Sequence, residues 1–408
     1  MNPTLSDYFP PNTAYFYGYP AGTDSQFFNC VPPAIEELVS ARPLVCAGPT
    51  IRIVSFAAST RIEMLRILQE TGIQTIPENQ IMRLPEAISP SLTGQDRNKA
   101  VTDALQRIVP DGTFMMAQPY ERESLRSKYR LPTSLMLLMN DKRGMKQWIP
   151  ETYLPRTFAE FQNGAELLSA RDIPVPSVIK VSSSSSGDGV CVCKTQDDLM
   201  AAKTAFAEID ATIFVQEYID PEQNYGIQFG IPADRTKPID IIGMSRQLTS
   251  SKGEFLGGMV KQNDPVPDVL EGILRNQVLP AVRKTGWYGI GGIDVLQSKE
   301  GKYYCIDPNL RMTAMSAAIL SSVKGETAGK NIISMTAKFR GNPEELIRLT
   351  QSGNADQIFR LIALRRDGDT FQFNGMLLFD QCETLSENAE RALRNGFSGS
   401  LLENIAAR

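Results

Sequence analysis

Two aspartates late in the chain carry the strongest chemical signal. The runs YGIGGIDVLQ (288–297) and YYCID (303–307) are strand-like, and the turn-like SKEGK (298–302) joins them. Paired residue numbers in an antiparallel hairpin have a constant sum. Closing the turn with Gln297 facing Tyr304 sets Asp294 opposite Asp307. Two carboxylates facing each other on apolar strands repel and are poorly solvated. A divalent cation turns that cost into attraction, because Mg²⁺ favours carboxylate oxygen, with phosphate completing its shell. Beyond Asp307 the chain reads Asp307-Pro-Asn309-Leu-Arg311. At a strand's period of two these three polar residues point the same way. Asn309 then adds a ligand oxygen, and Arg311 a cation for phosphate. Asp-Pro-Asn is equally good turn chemistry, and a solvent-exposed Asp294 is the competing reading.

Three further segments have weaker signals. In PSVIKVSSSSSGDGVCV a strand ends at Lys180 and a Ser/Gly loop follows, whose N–H and hydroxyl groups suit a phosphate. It is not a Walker A loop. Taken by itself, a solvated hairpin loop is the better reading. In TIFVQEYIDPEQN a strand leaves the core through Gln216, Glu217, Tyr218 and Ile219, as the edge of a purine requires and as many strands do. In NDKRGMKQWI, Lys142 and Lys146 stand four apart on one side of a helix, facing a nucleotide or simply water. The basic stretch Arg122, Arg126, Lys128 and Arg130 suits an acidic partner or a solvated helix.

These segments need elements to hold them. Residues 1–42, rich in Pro, Tyr, Phe and Gly, read as an irregular arm. Over 43–135, LVCAG and IRIVSFAAS read as strands, RIEMLRILQETG and 98–108 as helices, and TFMMAQ as a strand. This alternation predicts an α/β domain with a parallel sheet. Strand-rich blocks follow at 225–262 and 287–306, around a helix near 266–285. A helix, the strand FQFNGMLLFD and a last helix lie beyond Asn342.

Composition bounds the rest. The 408 residues are 42% hydrophobic and 22% charged, ordinary globular values, with a net charge of −4 that disfavours a general nucleic-acid binder. The absence of histidine excludes Ser-His-Asp and Cys-His catalysis and His-ligated metals. The six cysteines are scattered, with no CxxC pair, and read as reduced thiols. With no leader-like segment and no apolar run long enough to span a bilayer, a cytoplasmic protein without membrane or nucleic-acid partners is expected.

The order of these motifs resembles the ATP-grasp superfamily over about 135–335, with 43–135 in the place of a pre-ATP-grasp domain. The resemblance implies α/β and α+β architecture, an ATP-grasp fold whose two α+β subdomains clamp ATP after a parallel-sheet α/β domain. The expected division is 1–42 (arm), 43–135, 136–222 (lid subdomain and hinge), 223–341 (catalytic subdomain) and 342–408 (α+β segment). Lys142 and Lys180 would contact ATP phosphates. Ser183, Ser184, Ser185, Ser186, Gly187 and Gly189 would form the lid loop. Glu217 and Ile219 would meet adenine through their backbones, with Gln216 and Tyr218 beside it and Asn224 near the ribose. Asp294, Asp307 and Asn309 would hold Mg²⁺, or Mn²⁺ in its place. Arg311 would neutralise phosphate, and Arg246 would be a further phosphate contact. Two features depart from the family pattern: aspartates stand where metal glutamates are usual, and the lid is rich in serine instead of glycine. The implied reaction is ATP-dependent ligation, in which a carboxylate, expected to be an amino acid's, becomes an acylphosphate that passes to an amine. The alternatives are the thiol of an acyl carrier protein docked on 122–130, a small-molecule kinase, or an ATP binder without turnover. Family members are often homodimers.

Overall fold

The computed structural model describes residues 3–20, 32–88, 90–184, 189–249, 255–322, 330–354, 356–380 and 385–407. A first, four-stranded parallel sheet has the order β3–β2–β1–β4, built from β1 (Ala14–Phe16), β2 (Arg52–Phe56), β3 (Ile81–Leu84) and β4 (Phe114–Met116). The 1–42 segment is therefore not simply an irregular arm. After the short helix α1 (Leu5–Tyr8), β1 sits between β2 and β4. α2 (Pro33–Ser40) follows, and LVCAG, expected as a strand, begins within a 3-10 turn at Arg42–Val45. Pro43 at the start of that turn has no N–H to give a sheet.

The amphipathic helix α3 (Ile62–Glu70) buries Met64, Leu65, Ile67 and Leu68 and leaves Ile62 at 77% exposure. α4 (Gly94–Ile108) and α5 (Thr133–Asn140) complete this part.

The second sheet, β5–β8–β6–β7, is antiparallel, from β5 (Thr157–Phe161), β6 (Ser177–Val181), β7 (Val190–Cys193) and β8 (Ile213–Glu217). α6 (Gly164–Ser169) and α7 (Gln196–Phe206) pack on it. Leu167, Leu199 and Phe206 on the helices meet Ile179, Val181, Ile213 and Val215 in a separate apolar cluster. Thr195 and Asp198 form a capping box that starts α7.

The third sheet has nine strands. Its path is β13–β12–β9–β10–β11–β14–β16–β15, made by β9 (Pro221–Ile231), β10 (Asp240–Thr249), β11 (Phe255–Val260), β12 (Gly289–Ser298), β13 (Tyr303–Asn309), β14 (Asn331–Arg340), β15 (Phe359–Asp367) and β16 (Thr370–Phe379). The short β17 (Phe397–Ser398) pairs with β14. The expected helix near 266–285 is α8 (Asp268–Ile273) running through one π turn into α9 (Leu279–Lys284). α10 (Ser316–Ser322), α11 (Pro343–Thr350), α12 (Leu385–Arg394) and α13 (Ser400–Ala406) complete the chain. The sheet runs unbroken past 341–342, where the sequence reading divides the chain, because β14 pairs with β16 over its whole length. The α3 face packs on β15 and neighbouring strands through Phe359 and Leu361, so the first and last parts share a core. Cys46, Cys191, Cys193 and Cys305 are unpaired thiols, while Cys30 and Cys382 lie outside the described residues.

Candidate active site

β12 and β13 do place Asp294 opposite Asp307, though by a different route from the expected one. The hairpin closes with Gln297 opposite Tyr303, not Tyr304, because Gly301 takes the left-handed φ of 80° and the turn is one residue tighter. A β-bulge then leaves Ile306 without a partner and restores the register at Asp294–Asp307. The carbonyl of Ile306 accepts from Lys180 Nζ at 3.3 Å. Asn309 Nδ2 donates to Asp294 Oδ2 at 3.4 Å.

The cations converge on this pair. Lys142 Nζ lies 3.1 Å from Asp307 Oδ1 and donates to the carbonyl and Oγ of Ser184, both at 3.1 Å. Arg311 Nη1 donates to Asn140 Oδ1 at 2.7 Å, which fixes the guanidinium. Burial disfavours the Lys180 ammonium and brings its pKa down to about 8, against the attraction of Asp307. Burial, and then the charge of Asp307, push Asp294 up to about 7, against a hydrogen bond from Gln247 and the charges of Arg311 and Lys142.

Apart from Ser184 and Asn140, these groups line one cavity of about 500 Å³ between the β5–β8–β6–β7 sheet and the nine-stranded sheet. Strand parity decides what enters it. Asn224, Gly226 and Gln228 of β9, and Ser245, Gln247 and Thr249 of β10, alternate into the cavity. Asn224 Nδ2 donates to Gln247 Oε1 at 3.1 Å. Arg246 is not among the lining residues and binds Asp264 through Nε at 2.9 Å and Nη2 at 3.3 Å, with Nη1 on Gln223 at 2.6 Å. Lys146 also parts from Lys142: its side chain is 67% exposed and faces Glu160 at 3.6 Å.

The strand exit 216–219 lies outside the cavity lining. The Glu217 N–H is already given to the Arg156 carbonyl at 2.8 Å, so its backbone cannot offer that donor to a base. Gln216 Nε2 meets Thr157, Tyr218 meets Asp220, and Ile219 is buried. In the loop after Lys180, Ser184 is buried on Lys142, Ser183 is half-buried, and Gly189 turns at a φ of 68°. Ser185, Ser186 and Gly187 lie outside the described residues. In the basic segment, Lys128 pairs with Asp111, Arg126 with Glu123, and Arg130 Nη2 donates to the Pro11 carbonyl.

Residues 158–309 match the family described as L-aspartate–L-methionine ligase, ATP grasp. The ADP complex of an N5-carboxyaminoimidazole ribonucleotide synthetase superposes with a TM-score of 0.55 at 12% identity, over 99% of this chain and 100% of that one. An L-amino acid ligase from Bacillus licheniformis gives 0.53 at 16%, over 96% and 99% of the two chains. A biotin carboxylase from Campylobacter jejuni gives 0.54 at 14%, over 85% and 92%. At these identities the structures speak for a shared fold; the family match speaks for the ligase branch. The chain has the fold of ATP-grasp enzymes, and its residues 158–309 are similar to an ATP-grasp ligase family.

The ATP-grasp cleft has the donor chemistry for a hard cation. Two half-buried carboxylates face each other, and Asn309, whose Nδ2 is turned to Asp294, keeps its carbonyl oxygen to offer. Among the described residues no third acidic, thiol or imidazole group joins them, so a cation held here would need phosphate or water for its remaining positions.

The sequence reading did not include Gln228, Ser245, Gln247 and Thr313, nor Tyr17, Tyr19, Arg42, Asn374 and Ser400, all of which line this cavity. Alternation along 224–228 and 245–249 was the available signal for three of them. The last five come from the two ends of the chain and carry no local signature.

Proposed function

We propose that this protein is an ATP-dependent ligase that joins two amino acids. The carboxylate of one attacks the γ-phosphorus of ATP, the bond to the bridging oxygen of ADP breaks, and an acylphosphate forms. The amine of the second then attacks the acyl carbon, the carbon–oxygen bond to phosphate breaks, and the proton lost from the nitrogen passes to the departing phosphate. ADP and phosphate leave. The observation that carries this reading is the Asp294–Asp307 pair, set on facing strands inside a ring formed by Lys142, Lys180 and Arg311. Such a ring suits chemistry that depends on positioning and charge neutralisation and needs no histidine.

In this reading Asp294, Asp307 and Asn309 hold Mg²⁺, which neutralises phosphate charge when bound. Lys142 and Lys180 orient phosphate oxygens, Ser184 fixes Lys142, and Arg311 faces the acylphosphate. Asn224 and Gln247 stand together on adjoining strands as polar partners for the nucleotide. The four-stranded sheet (157–217) with its own apolar core is the lid, and it clamps ATP against the nine-stranded sheet. Aspartate and methionine, named by the matched family, are the first substrates to try. Purified protein incubated with ATP, Mg²⁺ and amino-acid pairs should release ADP and phosphate in equal amounts, with a dipeptide seen by mass spectrometry. ADP without free phosphate, together with a stable phosphorylated amino acid, would overturn the reading.

A further inference from the structure

We propose that Arg42 is the floor of a second subsite, which holds the unreacting α-carboxylate of an apolar amino acid whose amine is acylated. The inference rests on the amino-acid ligase reading and adds the residue that selects the acceptor. Arg42 is 9% exposed and lines the same cavity as Asp294 and Asp307. A guanidinium keeps its charge at any ordinary pH, and burying it without an anion is costly. Of the other deeply buried arginines, Arg97 has Glu36 at 2.8 Å and Arg365 has Glu37 at 3.7 Å, while Arg311 stands beside the Asp294–Asp307 pair, where the proposed function gives it the acylphosphate. No carboxylate among the described residues pairs with Arg42. Its Nε donates to Asn374 Oδ1 at 2.8 Å and its Nη1 to Tyr17 Oη at 3.2 Å, with the Tyr17 ring centroid 5.4 Å from the guanidinium carbon. Asn374 is itself fixed by donating to Thr336 Oγ1 at 2.7 Å.

Held on two sides by neutral groups, the guanidinium is oriented but not neutralised, and Nη2 has no partner among the described residues. This is the condition in which a carboxylate gains most from a two-pronged contact. The surrounding wall is apolar, from Ile35, Val39, Leu256, Met315, Met335 and Leu401. It suits an aliphatic or thioether side chain. The acyl donor spends its carboxylate at the ATP end of the cavity, so the carboxylate left over for Arg42 belongs to the acceptor.

The competing account makes Arg42 a structural tie between the 3-10 turn and β16 through Asn374. Acceptor analogues separate the two. Wild-type protein, with aspartate as donor, is compared on methionine and on methioninamide, which keeps the amine and side chain and lacks the carboxylate. The amide should be 10- to 100-fold poorer in kcat/KM, mostly through KM. Arg42→Met should lose 10- to 100-fold on methionine and little on methioninamide, so the discrimination collapses, while the ATP KM and the melting temperature hold. Arg42→Lys should recover part of the loss, since it keeps the charge without the fork. Equal losses on both acceptors, a fallen melting temperature in both variants, or discrimination that survives Arg42→Met would overturn the subsite. If no amino-acid pair releases ADP, the ligase reading has failed, and the subsite is judged by calorimetric titration of methionine into the MgADP-loaded protein. Binding lost in Arg42→Met supports it, and equal or absent binding overturns it.

Discussion

Replacing Asp294 by Asn separates the stability of the cleft from its chemistry. Burial and the facing Asp307 raise the Asp294 pKa from 3.8 to about 7. The folded chain therefore holds that proton more tightly than the unfolded chain does. The charge costs nothing below about pH 4, costs more as pH rises, and reaches its full cost above about pH 7. At ~1.4 kcal/mol per pKa unit the full cost is about 4 kcal/mol, falling to about 2 kcal/mol at pH 5. These are upper values, because Asp294 faces a cavity that admits water. Asn keeps the shape and an oxygen for Asn309 Nδ2 without the charge. In the absence of nucleotide, Asp294→Asn should be more stable than wild type in urea titrations, by up to about 4 kcal/mol at pH 8 and about half that at pH 5. Saturating MgATP should stabilise wild type strongly and the variant little, and the variant's turnover should fall at least about 100-fold. A variant no more stable than wild type at pH 8, or a gain that ignores pH, would refute the account of a charge held at a cost for the sake of a cation.

Asp307→Asn should behave oppositely in stability. Its partner Lys142 has a side chain only 3% exposed, so removing the anion strands a buried charge and costs about 3 kcal/mol, read in the same titrations. Turnover should be lost as well; unchanged activity would remove Asp307 from the site. Lys180→Met should raise the ATP KM by about tenfold or more, since a charged hydrogen bond to phosphate is lost, and a near-wild-type ATP titration would clear it of that role. Arg246→Met should leave turnover within about twofold and cost no more than about 1 kcal/mol, because its pair with Asp264 is partly exposed and outside the cavity. A large loss of activity in that variant would return Arg246 to the phosphate site.

The legible part of the site was the part that depends on strand parity over a few residues. Asp294, Asp307 and Asn309 sit on one hairpin, so an inward-facing pattern could be read from 288–309 alone. The pattern reported the face correctly while missing how the chain achieves it. The tighter turn at Gly301 shifts the register by one, and the bulge at Ile306 shifts it back. A bulge depends on what the unpaired residue finds in space, here Lys180 from another sheet, and leaves no mark in hydrophobic alternation. Arg246 shows the cost of taking residue type without parity. The resemblance pointed to the cation, but its neighbours Ser245 and Gln247 have the inward face.

The acceptor end of the cavity was invisible for a different reason. Arg42 meets Asn374 across 332 residues of sequence, and no window of periodicity connects a 3-10 turn to a late strand. The N-terminal aromatics looked irregular because β1 is only three residues long, and its place between β2 and β4 is set by tertiary pairing. Charge accounting finds what periodicity does not. A folded chain tolerates a buried guanidinium when an anion meets it; Arg97 and Arg365 have theirs in Glu36 and Glu37. Arg42 has two neutral partners and an open cavity, and the cost of its charge is offset only when a ligand carboxylate arrives. The Asp294–Asp307 pair has the same logic with the opposite sign. The aspartate pair and Arg42 are thus held in charge states that complement what each is proposed to bind: a cation with phosphate at the first, a carboxylate at the second.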